Sequence, residues 1–434
     1  MHHSSLPSTG ALTGLFEAVH FFRDPNFAGS RFQRFGDVFE TKLIGQRLIF
    51  IRGDQAISDL FNQSDSLEGW WPQSVRLLLG SRSLANRNGP SHKARRRVVG
   101  QLFTSAALRR YSPSIIDMVN RLAAEINATD SPFPLVDRMR RFAFGVIATT
   151  VLGLEGKDRD ALFVDFEIWT RALFSIPVAL PGSPFAKALA ARHRLLERLK
   201  IVLENADSSR GGLDLLGGGL DEVGIPLTDT DLVEQLLLLL FAGYETTASS
   251  LSCLMRALLI QPRLMPWLEE EYNMLQWPPD GDPVIAYDNS KAPRLHALVS
   301  EVMRLTPPVG GFFRRTTRTV TLNGVEIPKD RVIQVALAAS NRHRNGDLES
   351  FRPERHLDGS FQQSLLPFGG GERVCLGKAL AELEIRLMTV GLLKQVQLRL
   401  IDDQNVDLKL IPSPSPIDGL LVTSSRSSLA DARE

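Results

Sequence analysis

Apolar and polar positions alternate along Phe39-Glu40-Thr41-Lys42-Leu43-Ile44, and an apolar run, Leu48-Ile49-Phe50-Ile51, follows a turn at Gly45-Gln46. This pattern predicts a small hairpin-like sheet that ends at Arg52-Gly53-Asp54. The period then changes to that of a helix. Apolar residues recur every three to four positions over 94–103, 113–126, 139–151, 157–174 and 184–205. A glycine-rich stretch, Gly211 to Gly219, reads as a linker. Leu322-Asn323-Gly324-Val325 reads as a tight turn between strands, and Val332 to Leu337 as a further strand. The pattern contains no repeat and no clean domain linker. It predicts a mainly α protein with a minor β part (α+β), one domain over 1–434, with a poorly defined lead-in over 1–29 and a frayed tail over 424–434.

The longest predicted helix starts at Thr228, where Thr228 and Asp231 have capping-box spacing, and stops before Pro262. Its middle reads Leu-Leu-Leu-Leu-Leu-Phe-Ala-Gly-Tyr-Glu-Thr-Thr from Leu236 to Thr247. A helix apolar on all sides must be buried. Gly243, Glu245, Thr246 and Thr247 cost helix propensity and desolvation there, so the core needs hydroxyl and carboxyl groups and a close backbone approach at that point.

Composition narrows the classes. The chain has 434 residues, 43% of them hydrophobic and 23% charged, which is ordinary for a folded protein. A formal net charge of +1 gives no global footprint for nucleic acid. Two cysteines, Cys253 and Cys375, cannot build a disulfide framework or a multi-cysteine metal site. Met1 to Gly10 lacks the order of a signal peptide, and Leu236 to Gly243 is far shorter than the roughly 20 residues of a membrane helix. A soluble, cytoplasmic protein without a transmembrane anchor is the expectation.

The sharpest chemical signal is Pro367-Phe368-Gly369-Gly370-Gly371-Glu372-Arg373-Val374-Cys375-Leu376-Gly377. A glycine loop here delivers one thiol to the start of a helix over 378–393, and a helix N-terminus favours thiolate over thiol. Gly371 permits a tight reversal, Gly377 lets a flat group approach the backbone, and Arg373 can reach an anion on it. One thiolate in such a loop suits a haem iron. A phosphate loop would require Gly-Lys-Ser/Thr, and Gly377-Lys378-Ala379 does not supply it. Phe368, Gly371, Arg373, Cys375 and Gly377 match Phe-x-x-Gly-x-Arg-x-Cys-x-Gly, expected by chance on the order of once in ten thousand such chains. Cys253 reads as a buried structural cysteine.

With these residues the chain resembles the cytochrome P-450 family of haem-thiolate monooxygenases over about residues 30 to 422. The resemblance implies haem b (iron protoporphyrin IX) between a long central helix and the cysteine-loop helix, with Cys375 as the iron ligand. Ala242-Gly243-Tyr244-Glu245-Thr246-Thr247 resembles the family's oxygen-activating helix, which gives Thr246 and Glu245 catalytic roles and places Ala242 and Gly243 against the haem. Glu301-Val302-Met303-Arg304, together with Arg355, resembles a buried structural triad. His92, Arg96 and Arg314 match positions that hold the haem propionates.

Within the family, the stretches from Gly69 to Gly80 and from Pro307 to Arg314 are most similar to the cyanobacterial branch related to retinoic-acid hydroxylases. The resemblance implies hydroxylation of a lipophilic substrate, a retinoid or other isoprenoid acid, with O2 and two electrons from a ferredoxin-type donor and its reductase. Trp71, Phe174, Ile176, Ala242 and Val309 are expected on the substrate side, with Arg76 facing a substrate carboxylate. Lys93, Arg95, Arg97, Lys378 and Arg386 are expected to dock the donor. The alternative is a haem-thiolate isomerase or peroxygenase, or a non-catalytic haem protein; the acid–alcohol pair Glu245-Thr246 favours the monooxygenase.

Overall fold

A computed structural model describes residues 6–10, 14–24, 26–43, 45–206, 211–342 and 347–426. Contacts divide the chain into two compact units: Met1–Trp71, Ser300–Cys375 and Leu410–Ser413 form one, and Pro72–Val299, Leu376–Lys409 and Pro414–Glu434 form the other.

The first unit is built on a five-stranded sheet in the spatial order Val38–Leu43, Gln46–Ile51, Val332–Ala336, Gly311–Thr316, Leu67–Gly69. The expected hairpin is present, antiparallel, with Phe39 opposite Phe50. Gln46–Ile51 pairs parallel with Val332–Ala336, and the remaining pairs are antiparallel. Alternation along the hairpin hides the fact that both of its faces are covered. Val38, Ile49, Ile51, Ile333 and Val335 pack on Ile57 and Leu60 of the helix Asp54–Asn62. Phe39, Leu48 and Phe50 pack on Phe27 and Phe32 of the helix Phe27–Phe35. The lead-in reaches this sheet: Glu40 N donates to Pro7 O (2.8 Å), Thr9 N donates to Glu40 O (3.0 Å), and Gly14–Arg23 is helical. The strands Val320–Leu322 and Val325–Ile327 turn through Asn323 and Gly324, both at positive φ (47° and 77°), which their residue types tolerate.

The second unit is helical. Four of the five expected helices lie at Gly89–Gly100, Leu135–Thr150, Gly156–Thr170 and Pro184–Glu204. The fifth differs, because it runs over Ser105–Asn127 with Pro113 inside it. Thr104 caps it by accepting from Ala107 N (3.3 Å), and Leu108, Tyr111 and Ile115 carry the apolar face continuously across the proline. The glycine-rich stretch is also no loose linker: Leu213 and Leu216 are buried in a 3-10 turn, and a Cβ on Gly212 would lie 2.2 Å from the Tyr111 hydroxyl.

The central helix spans Asp229–Ile260, 32 residues or about 48 Å. Thr228 Oγ1 accepts from Asp231 N (3.2 Å) and donates to Asp231 Oδ2 (2.8 Å), as the capping spacing anticipates. It is long and apolar enough to cross a membrane, yet 67% of its most apolar window is buried within the protein. Leu421–Arg426 is a strand between Phe133–Pro134 and Val396–Leu400, so the expected tail begins inside a sheet; residues 427–434 lie outside the described residues.

In the first unit one carboxylate organises the segment before Cys375. Glu301 is fully buried and accepts from Arg304 Nε (2.7 Å) and Nη2 (2.8 Å), Arg355 Nε (3.1 Å) and Arg352 N (2.8 Å); His356 Nε2 lies 2.9 Å away. Arg304 also donates to the carbonyls of Asn341, Leu348 and Ser350. Burial alone would raise the Glu301 proton affinity, but the donors around it reverse the sign and hold it at about 2. Glu301→Gln should therefore cost about 3–5 kcal/mol in a denaturant titration, because two guanidiniums lose their counter-charge. The depressed carboxylate stabilises the fold above the ordinary carboxylate range. In wild type that contribution should fade as pH falls from about 4.5 toward about 2, and the variant should lack that transition.

Candidate active site

In the first unit, the cysteine loop is shaped by its own backbone. Gly369 N donates to Leu366 O (3.0 Å), Val374 N to Gly371 O (3.1 Å) and Cys375 N to Phe368 O (2.8 Å). Gly369 (φ 69°) and Gly371 (φ 65°) occupy the left-handed region that these reversals need. The Phe61 ring lies under the loop, so that a Cβ on Gly370 would sit 2.6 Å from it. Cys375 is consequently presented at an exposed position two residues before Gly377, the cap of the helix Lys378–Gln395. Cys253 differs: it is buried, with Sγ 3.6 Å from Pro414 O.

Beside this loop the first unit gathers positive charge. Arg314, on the strand Gly311–Thr316, lies over the Phe312 ring (4.7 Å) and donates to Phe313 O (2.8 Å). Burial lowers its proton affinity, and the neighbouring Arg373 lowers it further, to about 10. Arg373 lies against Gly69, where a Cβ would be 2.3 Å from its guanidinium carbon. Two such cations side by side call for an anion, and a carboxylate matches the guanidinium fork. An exposed thiol on a glycine loop with adjacent guanidiniums is the donor set a propionate-bearing haem requires, so these residues fit that group.

In the second unit, His92 is buried and Arg96 partly exposed one turn apart on the helix Gly89–Gly100. Arg95, expected at a docking face, is instead 5% exposed and donates to Glu222 and Asp231, both at 2.9 Å. It serves to tie its helix to the start of the central helix. Arg386 is likewise half-buried and donates to Val284 O (3.3 Å). Lys93, Arg97 and Lys378 remain exposed.

The middle of the central helix is anchored on several sides. Gly243 meets Ile147, whose side chain would lie 2.5 Å from a Cβ. Glu245 pairs with Arg140 (3.4 Å), and Ser249 Oγ donates to Pro414 O (2.7 Å). Tyr244 is buried among Phe144, Phe163 and Phe166. Ala242 and Thr246 lie on the accessible side, and Thr246 Oγ1 donates to Ala242 O (2.6 Å). Arg140 carries no signal in the linear sequence, since its partner lies 105 residues away.

Of the residues expected on the substrate side, Trp71 packs edge-on against Phe313 (6.5 Å) and Val309 is 39% exposed, both in the first unit. In the second, Phe174 and Ile176 are exposed in the segment that follows Gly156–Thr170, and Arg76 is exposed on the short helix Gln73–Leu79. That short helix is clasped from within its own unit. Leu78 O accepts from Trp169 Nε1 (3.3 Å) and Arg192 Nε (2.8 Å), and Glu234 accepts from Arg192 Nη2 and Arg82 N, both at 2.7 Å.

The profile of the family described as Cytochrome P450 matches residues 25–429. A putative cytochrome P450 120 of Synechocystis is 34% identical, over 96% of each chain. Human cytochrome P450 26B1 is 30% identical, over 91% of this chain and 81% of its own. The solved structure described as retinoic acid bound cyanobacterial CYP120A1 is similar with a TM-score of 0.90 and 33% identity, covering 98% of this chain and all of that one.

The Gly243–Ile147 contact gives a direct test of the anchored helix. Gly243→Val should destabilise the protein by about 1–3 kcal/mol through overpacking, and Ile147→Ala in the same chain should recover much of that loss. A double-mutant cycle by thermal unfolding measures the coupling.

Proposed function

This chain belongs to the cytochrome P450 family and is a monooxygenase acting on a lipophilic substrate, and on that premise we propose that it hydroxylates a retinoid or a similar isoprenoid acid. The presentation of Cys375 on its hydrogen-bonded glycine loop carries the chemical part of this reading. The similarity to a structure described as retinoic acid bound supports the substrate class.

Haem b, when bound, supplies the activation of dioxygen for insertion of one oxygen atom into a C–H bond. Cys375 is its thiolate ligand, favoured by the N-terminus of the helix Lys378–Gln395. Phe368, Gly371 and Gly377 give the loop its shape and clearance, and Arg314, Arg373, His92 and Arg96 hold the propionates. On the central helix, Ala242 and Gly243 keep the helix surface low. Thr246 Oγ1 donates to Ala242 O and so keeps its lone pairs for a donor on the accessible side. Glu245, held by Arg140, exchanges a proton with solvent at its carboxylate and passes it toward that hydroxyl. Trp71, Phe174, Ile176 and Val309 contact the apolar body of the substrate, and Arg76 its carboxylate. Lys93, Arg97 and Lys378 receive an acidic ferredoxin-type donor, itself reduced by a reductase.

Reduced protein exposed to carbon monoxide should show the strongly red-shifted Soret band of thiolate ligation, and Cys375→His should lose it. All-trans retinoic acid should convert the ferric protein from low to high spin, whereas a saturated fatty acid tested alongside should do so less. Thr246→Ala should keep the carbon monoxide band but divert reducing equivalents from product to peroxide. Unchanged coupling would remove the role given to Thr246.

A further inference from the structure

The short helix Gln73–Leu79 is too brief to hold its own shape, since helices under roughly 12 residues are marginal in water. A helix end also leaves carbonyls without partners in the helix. Side chains from elsewhere in the second unit supply them. Asn86 Nδ2 donates to Arg76 O (3.0 Å) and Gly80 O (2.7 Å), while Trp169 Nε1 (3.3 Å) and Arg192 Nε (2.8 Å) both donate to Leu78 O. Near the start of the helix, Ser74 Oγ donates to Leu173 O (2.6 Å).

The central helix completes the mooring. Glu234, itself buried, accepts from Arg192 Nη2 and Arg82 N, both at 2.7 Å. Gln235, with no solvent exposure, brackets the backbone by donating to Arg82 O (2.9 Å) and accepting from Leu84 N (2.7 Å). Arg192 joins the two sets of bonds, because its guanidinium reaches Leu78 O through Nε and Glu234 through Nη2. The fit leaves no spare room. Gly80 takes a φ of 92° against this pair, and a Cβ there would lie 2.1 Å from Glu234 Oε1 and 2.3 Å from Arg192 Nη2. So much fixing is out of proportion to seven residues whose inward side chains, Val75, Leu78 and Leu79, are already buried. What the helix carries on its outward face is Arg76. Arg82, Arg95 and Arg192 each pair with Asp231 or Glu234, whereas the Arg76 guanidinium is exposed and has no hydrogen bond or ion pair among the described residues.

We propose that Arg192 is a specificity-determining positioning residue: clasped between Leu78 O and Glu234, it fixes the short helix so that the unpaired Arg76 meets a carboxylate at one place, and the protein thereby selects an isoprenoid acid over the corresponding alcohol. This rests on the role given to Arg76 above. A guanidinium on a loose segment loses backbone as well as side-chain entropy when it grips an anion, and on a clasped segment the backbone part is already gone. The alcohol offers no charge for Arg76 to grip, so the clasp acts on acid binding and not on the apolar contacts that both ligands share.

The test titrates the haem-loaded full chain with all-trans retinoic acid and with all-trans retinol, reading the low-to-high-spin shift, with the carbon monoxide band as the control for an intact thiolate site. Wild type should prefer the acid. Arg192→Leu should weaken the acid several-fold relative to the alcohol, and Arg76→Gln should do so at least as much. The double variant should lose no more than Arg76→Gln alone, because Arg192 acts through Arg76. Hydrogen exchange over residues 73–84 should accelerate in Arg192→Leu and not in Arg76→Gln, a readout that needs no ligand. The proposal is overturned if Arg192→Leu weakens acid and alcohol alike, which would make the clasp a general support. It also fails if that variant leaves either the preference or the exchange unchanged, if the two substitutions add, or if wild type binds the alcohol as well as the acid. If Arg192→Leu does not fold, Arg192→Lys, which keeps the charge beside Glu234 but lacks the fork that also reaches Leu78 O, should show the same loss of preference. A wild type whose spin state no retinoid shifts would refute the proposed substrate. A saturated fatty acid and its alcohol then put the same question to Arg192, and equal binding of those two overturns the clasp as well.

Discussion

A single carboxylate, that of Glu301, holds together a buried ion cluster in the first unit, in the chain that precedes the cysteine loop. It lies in a site with no solvent exposure and carries the charge that balances Arg304 and Arg355. Arg304 in turn spends its other donors on the carbonyls of Asn341, Leu348 and Ser350, which belong to irregular chain lacking a sheet or helix ladder of its own. Backbone of that kind must find partners elsewhere when it is buried. One ion cluster thus does the work of secondary structure for Asn341, Leu348 and Ser350. Removing any single member strands the others, so the cluster behaves as a unit.

The second unit meets the opposite difficulty. Its central helix has more apolar surface than it needs for burial, and its middle is interrupted by a glycine, a carboxylate and a run of hydroxyls. Back-bonding from Thr246, Ser250 and Ser252 competes with the helix ladder. The surroundings compensate for this with a different contact for each residue. A small aliphatic face receives Gly243, a guanidinium receives Glu245, and a carbonyl receives Ser249. Ala242 is exposed and Thr246 partly so, one helical turn apart.

Much of this was legible from residue order. The hairpin at Phe39–Ile51, the cap at Thr228 and the turn at Asn323-Gly324 each follow from local chemistry. The thiol loop does too, because left-handed glycines and a lone cysteine at fixed spacing have few other uses. Helix-starting signals misled at Pro113, where an apolar face continuous from Leu108 to Ile115 outweighs the lost backbone donor. Charge misled at Arg95. A run of basic residues looks like a solvated face, and only the fold reveals that Asp231, 136 residues on, draws one of them into the core. His356 and Arg140 were invisible for the same reason, since each acquires its meaning from a partner remote in sequence.

The positions that violate local rules are the ones worth reading together. A glycine and hydroxyls inside a buried helix, and two guanidiniums beside each other, each cost stability where they stand. A chain optimised only for folding would replace these with leucine and a single ion pair. In the central helix the glycine and the hydroxyls of its middle lie within two turns of Thr246. In the first unit the repelling pair Arg314 and Arg373 lies within two residues of Cys375 at one end. Each unit therefore carries its own irregularities: the first at the cysteine loop and its neighbouring guanidiniums, the second in the middle of its central helix. The apolar packing within the second unit, from Phe144 through Phe166 to Trp169, follows the ordinary rules of aromatic contact.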